Sequence, residues 1–321
     1  MHVLITGGAG FIGSHVAEAL LERGDSVVVL DNFNDYYDPR IKRANASALS
    51  GAKIVEGDIR DEVLVARLFQ EEAFDAVIHL AAMAGVRKSL ENPLLYSDVN
   101  IRGTQVLLEE LRKRPSMPMV FASSSSVYGG NTRTPFRESD DIHRPISPYA
   151  ATKRAGELLC FTHNHLYGNP ITCLRFFTVY GPRQRPEMAI HKFVRMVLEG
   201  QPIPFFGDGT TRRDYTYISD IVDGVVRSLD RANGYAIYNL GESQTISLTE
   251  MVEGIGKATG VEPILNREPM QPGDVLITYA DVALAKAELG YQPSTTLAEG
   301  LERFVSWYRN ELERAVVSRA R

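Results

Sequence analysis

A chain of 321 residues is long enough for a large buried core, built as one big domain or two closely joined ones. With 44% hydrophobic and 23% charged residues it has the make-up of a globular enzyme, and no apolar run approaches the ~20 residues of a membrane span. A net charge of −5 and a pI near 5.9 argue against a nucleic-acid surface, so any cationic site must be local, which suits a small anionic ligand.

Strand-like apolar runs at residues 2–6, 26–31, 53–56, 76–80, 119–123 and 172–176 alternate with amphipathic stretches at 11–23, 61–71, 94–113 and 149–166. Continuous apolar strands between helices indicate a parallel sheet covered on both faces, a Rossmann-type doubly wound α/β domain. The first run enters Thr6-Gly7-Gly8-Ala9-Gly10-Phe11-Ile12-Gly13. Glycines there permit a tight turn and close backbone approach to a pyrophosphate, with a helix N-terminus facing its charge. Asp31 closes the second strand, where a carboxylate holds ribose hydroxyls and repels a 2′-phosphate, favouring NAD over NADP. Lys42 and Arg43, further on, read as surface charges. After the third strand comes Gly57-Asp58-Ile59, with Asp58 in reach of an adenine, and after the fourth His79-Leu80-Ala81-Ala82, whose small residues allow close approach. His79 itself reads as a packed strand-end histidine.

The fifth strand ends in Ser123-Ser124-Ser125-Ser126. Alone these serines suit a capping loop, but the strand's end is where open α/β sheets bind ligands. Then comes Ser147-Pro148-Tyr149-Ala150-Ala151-Thr152-Lys153. Pro148 can open a helix, and one turn puts the phenol and the ammonium on a shared face. A cation beside a phenol favours the phenolate, which a tyrosine base requires. The two cysteines, Cys160 and Cys173, read as small buried hydrophobes of a reducing compartment, and the chain enters a strand without a signal-peptide pattern, so the cytoplasm is the expected location. Beyond about residue 177 the alternation stops and Pro, Gly and Arg rise, with helices at 189–199, 218–231, 248–259 and 297–313. Residues 1–177 are therefore expected to bind the dinucleotide, and residues 178–321 mainly the substrate, with some chain crossing back.

Together, Thr6–Gly13, Asp58, His79–Ala82, Asn100, Ser123–Gly129 and Tyr149–Lys153 resemble the extended short-chain dehydrogenase/reductase family, specifically its nucleotide-sugar epimerases and dehydratases. The finer pattern of residues 31–38, 84–87 and 175–182 is similar to the UDP-glucuronate 4-epimerases. The resemblance implies a cofactor site of Gly7, Gly10, Phe11, Ile12, Gly13, Asp31, Asn32, Asp58, Ile59, Leu80, Ala81, Ala82, Asn100, Tyr149 and Lys153, with NAD as cofactor and no metal. It makes Tyr149 the base, Lys153 its partner at the nicotinamide ribose, and Ser124 the serine, with Ser125 and Ser126 in the same pocket. Relatives that eliminate water or carbon dioxide carry an acidic residue just before Val127-Tyr128-Gly129; its absence here favours epimerisation.

Which sugar is epimerised depends on what would hold a carboxylate. A 4-keto uronic acid loses carbon dioxide readily, so an epimerase for it must clamp the carboxylate, and Thr178 and Arg185 are the candidates, with Arg87 second. Arg213 matches the family's phosphate arginine; Lys192 and Asp274 are candidates for the diphosphate and the uridine ribose. The alternatives are a neutral UDP-hexose epimerase, a UDP-glucuronate decarboxylase and, from another class, a redox-sensing NAD-binding regulator, against which Tyr149, Lys153 and Ser124 speak. Apolar residues around more than one stripe of segments 94–113 and 149–166 match, by resemblance, a four-helix homodimer interface.

Overall fold

The computed structural model describes residues 1–270 and 275–319, with side chains through residue 313. Its centre is a sheet of seven parallel strands: β1 (His2–Thr6), β2 (Ser26–Asp31), β3 (Lys53–Glu56), β4 (Ala76–His79), β5 (Met119–Ser124), β6 (Ile171–Phe176) and a last strand, Tyr235–Leu240. Their spatial order is β3-β2-β1-β4-β5-β6 followed by Tyr235–Leu240. The order reverses between β1 and β4, which opens a crevice at the carboxyl ends of these strands.

Alternate residues of every strand but the edge strand β3 enter different cores, which explains why those strands read as continuous apolar runs. Val3 and Ile5 of β1, with Val27 and Val29 of β2, face one side, covered by α1 (Phe11–Glu22) and the helix Ile218–Asp230. Leu4, Val28 and Leu30 face the other, covered by α3 (Glu62–Glu71), α6 (Gly103–Arg112) and α7 (Pro148–Tyr167). The first core runs on without a break into Val179, Phe193, Leu301 and Phe304 of the C-terminal half.

Three differences from the sequence expectation matter for the site. A helix, α2 (Pro39–Ala48), follows β2; its apolar pattern is weak, although Asp38 caps it by accepting the Arg40 N–H and Pro39 opens it. Segment 94–113 is not one helix. Short helices α4 (Val86–Glu91) and α5 (Pro93–Ser97) lead into a π-helical turn over Asp98–Arg102 before α6 begins. Such a turn inserts an extra residue and re-aims its side chains, here bringing Asn100 inward, 3% exposed. Finally, Tyr235–Leu240 pairs with β6 along its whole length, from Tyr235 opposite Ile171 to Leu240 opposite Phe176.

Candidate active site

The crevice begins at the turn between β1 and α1. Gly7 has φ +71°, and a Cβ there would lie 2.7 Å from the Ala81 nitrogen; a Cβ on Gly13 would strike the Gly7 carbonyl. No acidic residue occupies the first turn of α1, so its amide dipoles are left for an anion. Gly7, Gly10, Phe11, Ile12, Gly13, Asp31, Asn32, Ile59, Leu80, Ala81, Ala82, Tyr149 and Lys153 all line this part of the cleft. Asp31 is buried, its Oδ2 accepting the Ala9 N–H at 3.2 Å and its Oδ1 the Phe33 N–H at 2.9 Å, and burial pushes its carboxyl up.

The other two expected cofactor residues, Asp58 and Asn100, are bonded within the chain. Asp58 accepts from Asn32 Nδ2 at 2.9 Å and pairs with Arg60 at 2.8 Å, which holds its carboxyl at about 2. Asn100 Oδ1 accepts the Met83 N–H at 2.8 Å, while its Nδ2 donates to the Met83 carbonyl at 2.9 Å and Thr152 Oγ1 at 3.0 Å. Lys42, expected on the surface, is 6% exposed: α2 turns it onto the cleft wall, where Nζ donates to Asn34 Oδ1 at 2.7 Å. Arg43 does stay outside, bonded to Glu56 at 2.8 Å.

His79 is packed at its strand end as expected, 2% exposed, and burial lowers it to about 3. Thr104 gives its proton to the Asn100 carbonyl at 2.6 Å, so His79 Nε2 carries the hydrogen toward Thr104 at 3.0 Å. Nδ1 then accepts from Thr6 Oγ1 at 2.7 Å. This neutral relay ties β1 to the π-turn.

Ser147 caps α7, accepting the Ala150 N–H at 3.1 Å, and Pro148 occupies the first helical position. Tyr149 therefore sits in the first turn and Lys153 in the next, both lining the cleft. Lys153 Nζ donates to the Ala122 carbonyl at 2.7 Å; burial lowers it to about 8. Burial pushes Tyr149 up, while its hydrogen bond with Ser124 and the charge of Arg185 pull it down. The groups of the chain thus leave the phenol protonated near neutral pH, and Lys153, expected to lower it, is not among the groups that do. Ser124 Oγ donates to Ser126 Oγ at 3.1 Å, and Ser124, Ser125 and Ser126 all line the cleft.

Beneath the dyad lies a buried ionic network. Glu157, one turn beyond Lys153, accepts from Arg175 Nε at 2.8 Å, Ser123 Oγ at 2.6 Å and Arg154 at 3.1 Å. Arg175 also donates to Tyr128 Oη at 3.0 Å. The carboxylate nearest the serines is thus fully engaged, and none stands free in the strand-end segment for water elimination.

The cleft widens beyond the serines. Thr178 and Arg185 line both its narrow and wide parts; Arg87, Lys192 and Arg213 line the wide part only. Arg185 Nε lies 2.9 Å from Glu187 Oε1 in an ion pair whose geometry makes no hydrogen bond. Asp274 lies outside the described residues.

Residues 3–241 match the family model described as the NAD dependent epimerase/dehydratase family. The chain belongs to that family. Among similar proteins of the family, "UDP-glucuronate 4-epimerase 4" of Arabidopsis thaliana is 48% identical over 95% of this chain and 75% of its own length. The solved UDP-glucuronic acid 4-epimerase of Bacillus cereus, in complex with UDP-glucuronic acid and NAD, is 36% identical and superposes with a TM-score of 0.90 over 97% of this chain and all of that one. The UDP-glucose 4-epimerase of Thermotoga maritima, with UDP-glucose, is 33% identical with a TM-score of 0.91 over the same shares. The glycine cradle, the unmatched N-terminus of α1 and the buried Asp31 fit the dinucleotide in the family's description.

Four residues that complete the cleft were not among the expected site residues, although three of them lie in the motif stretches 31–38 and 175–182. Tyr36, Tyr37, Met188 and Phe177 line it, yet they sit in loops where periodicity carries no signal. The Glu157–Arg175 pair was also illegible: its partners lie 18 residues apart on the consecutive elements α7 and β6 and meet only once the helix packs against the sheet.

Proposed function

We propose that the protein is a UDP-glucuronate 4-epimerase that interconverts UDP-glucuronate and UDP-galacturonate. The observation that carries the choice of sugar is Arg185, placed with Thr178 where the cofactor and substrate parts of the cleft meet, near enough for its charge to act on Tyr149. Relatives for both the uronate and the neutral hexose have nearly equal TM-scores, so the fold does not decide between them. The plant UDP-glucuronate relatives add weight.

Gly7, Gly10, Gly13, Phe11 and Ile12 would hold the pyrophosphate of NAD, Asp31 and Asn32 its adenosine ribose, and Lys153 the nicotinamide ribose. Bound NAD supplies a hydride acceptor at the sugar's C4, a donor for the return, and positive charge beside the phenol. Tyr149 takes the proton of the 4-hydroxyl and later returns it, with Ser124 bonding the same oxygen. Thr178 and Arg185 keep the carboxylate turned away from the alignment that carbon dioxide loss requires. The bidentate fork of Arg185 suits that task. Arg213 and Lys192 neutralise the diphosphate; Arg87 stands at the sugar's side, and Asp274 holds the uridine ribose. Residues 1–177 supply the cofactor side and residues 178–321 mainly the UDP side.

No described helix is long and apolar enough to cross a membrane. Leu94, Leu158, Phe161 and Leu166, at least half exposed on α5 and α7, support a homodimer through these helices. The buried free cysteines support a cytoplasmic location. Incubating the protein with UDP-glucuronate and separating the products tests the activity. UDP-galacturonate is the expected product; turnover of UDP-glucose alone would establish the neutral-hexose epimerase, and a UDP-pentose with carbon dioxide the decarboxylase.

A further inference from the structure

Arg185 needs something to hold its fork in place, since its ion pair with Glu187 makes no hydrogen bond. Its guanidinium lies 5.4 Å from the centroid of the Tyr36 ring. Tyr36 lines both parts of the cleft and is itself tightly fixed. Its hydroxyl donates to the Ala84 carbonyl at 2.7 Å, and Lys88 Nζ sits 4.2 Å from the ring centroid while donating to the Tyr36 carbonyl at 3.1 Å. Gly85 has φ +92°, and a Cβ there would lie 2.8 Å from the Tyr36 hydroxyl oxygen, so the glycine leaves room for the phenol. The Ala84 carbonyl also accepts the Tyr96 hydroxyl at 2.5 Å, and the Tyr96 ring meets the Tyr149 ring edge-on, centroids 6.2 Å apart.

We propose that Tyr36 is a specificity-determining positioning residue: its ring holds Arg185 toward the sugar's carboxylate, in register with the Tyr149 base. An aromatic face attracts a guanidinium through the ring quadrupole, and a fixed ring fixes the direction of the fork as well. Because the tyrosine that carries Arg185 and the tyrosine that abuts Tyr149 share one peptide oxygen, the clamp and the base move together. Small misplacements matter, since a 1 Å error at a reacting group costs on the order of a hundredfold in rate. The inference rests on the reading of Arg185 as the carboxylate clamp.

Binding of UDP-glucuronate and of UDP-glucose to the NAD-loaded protein, measured in a Tyr149→Phe background that stops turnover, gives a preference ratio that tests this. Tyr36→Leu or Tyr36→Met, each of which removes the ring, should lower the preference for UDP-glucuronate by ~3- to 30-fold. Tyr36→Phe, which keeps the ring, should hold it within ~3-fold. In an Arg185→Met background the loss of the ring should change the ratio no further, because Tyr36 acts through Arg185. Equal weakening of both sugars on loss of the ring, with Arg185→Met alone shifting the ratio, overturns the role of Tyr36 and leaves the clamp standing. A ratio unmoved by Arg185→Met overturns the clamp itself. If the ring-deleted variants fail to fold, a large shift in Tyr36→Phe still counts against the inference.

Discussion

Tyr149 stands in an environment that, without a ligand's charge, keeps its proton on. As the proposed base, Tyr149 would be ready only when substrate and cofactor are both in place, which would limit stray proton transfer. Tyr149→Phe keeps the ring that packs on Tyr96 and removes only the transferable proton. Turnover should fall by ~10²- to 10⁴-fold with NAD content unchanged, as assayed by product formation and by cofactor released on denaturation. Glu242 offers a second test at this scale. Burial beside Asp220 and Asp214 raises its carboxyl to about 8, against an ordinary 4.5. The folded protein therefore holds this proton more tightly than the unfolded chain does. The stability this confers is full below about pH 4.5 and is lost as pH rises through about 8. Tm should fall across that window in the native protein, and Glu242→Gln should flatten the fall; identical pH profiles would refute the assignment.

Among the elements, α7 joins the chemistry to the scaffold. Ser147 and Pro148 start it, Tyr149 and Lys153 face the cleft, and Glu157 anchors it to Arg175 of β6 and Ser123 of β5. Leaving Arg175 buried without its carboxylate should be costly: Glu157→Gln is expected to lose about 3–5 kcal/mol, seen as a lowered thermal midpoint. Glu157→Gln combined with Arg175→Met should recover part of the loss, because the stranded charge is gone. The local devices of α7 were legible in the sequence because caps, a first-turn proline and one-turn spacing are all short-range. So were β1, β2 and β4 to β6, whose double burial leaves a continuous apolar run, while the edge strand β3 is mostly exposed. By contrast, α2 is polar over most of its surface, and the π-turn at Asp98–Arg102 depends on an extra residue that no periodicity marks. Lys42 was misplaced for the same reason: without α2, nothing in the sequence turns that side chain inward.

At the scale of the whole molecule, residues 1–177 and 178–321 are not separable bodies. The apolar core runs from Val3 to Phe304, and Asn239 of the last strand bonds Tyr128 Oη at 2.7 Å through its Oδ1 and the Phe136 carbonyl at 2.9 Å through its Nδ2. A chain cut after residue 177 keeps every glycine of the dinucleotide turn and both members of the dyad, yet it lacks Tyr235–Leu240 and the helix Ile218–Asp230 that packs on α1. It should give little soluble, NAD-binding protein, as judged by soluble yield and cofactor titration. That same last strand sets an order of events during synthesis. At ~5–20 residues per second, several seconds separate the emergence of β6 from that of its neighbour. Through that interval the nascent sheet presents Ile171–Phe176 as a bare, apolar edge, open to pairing with another unfinished chain.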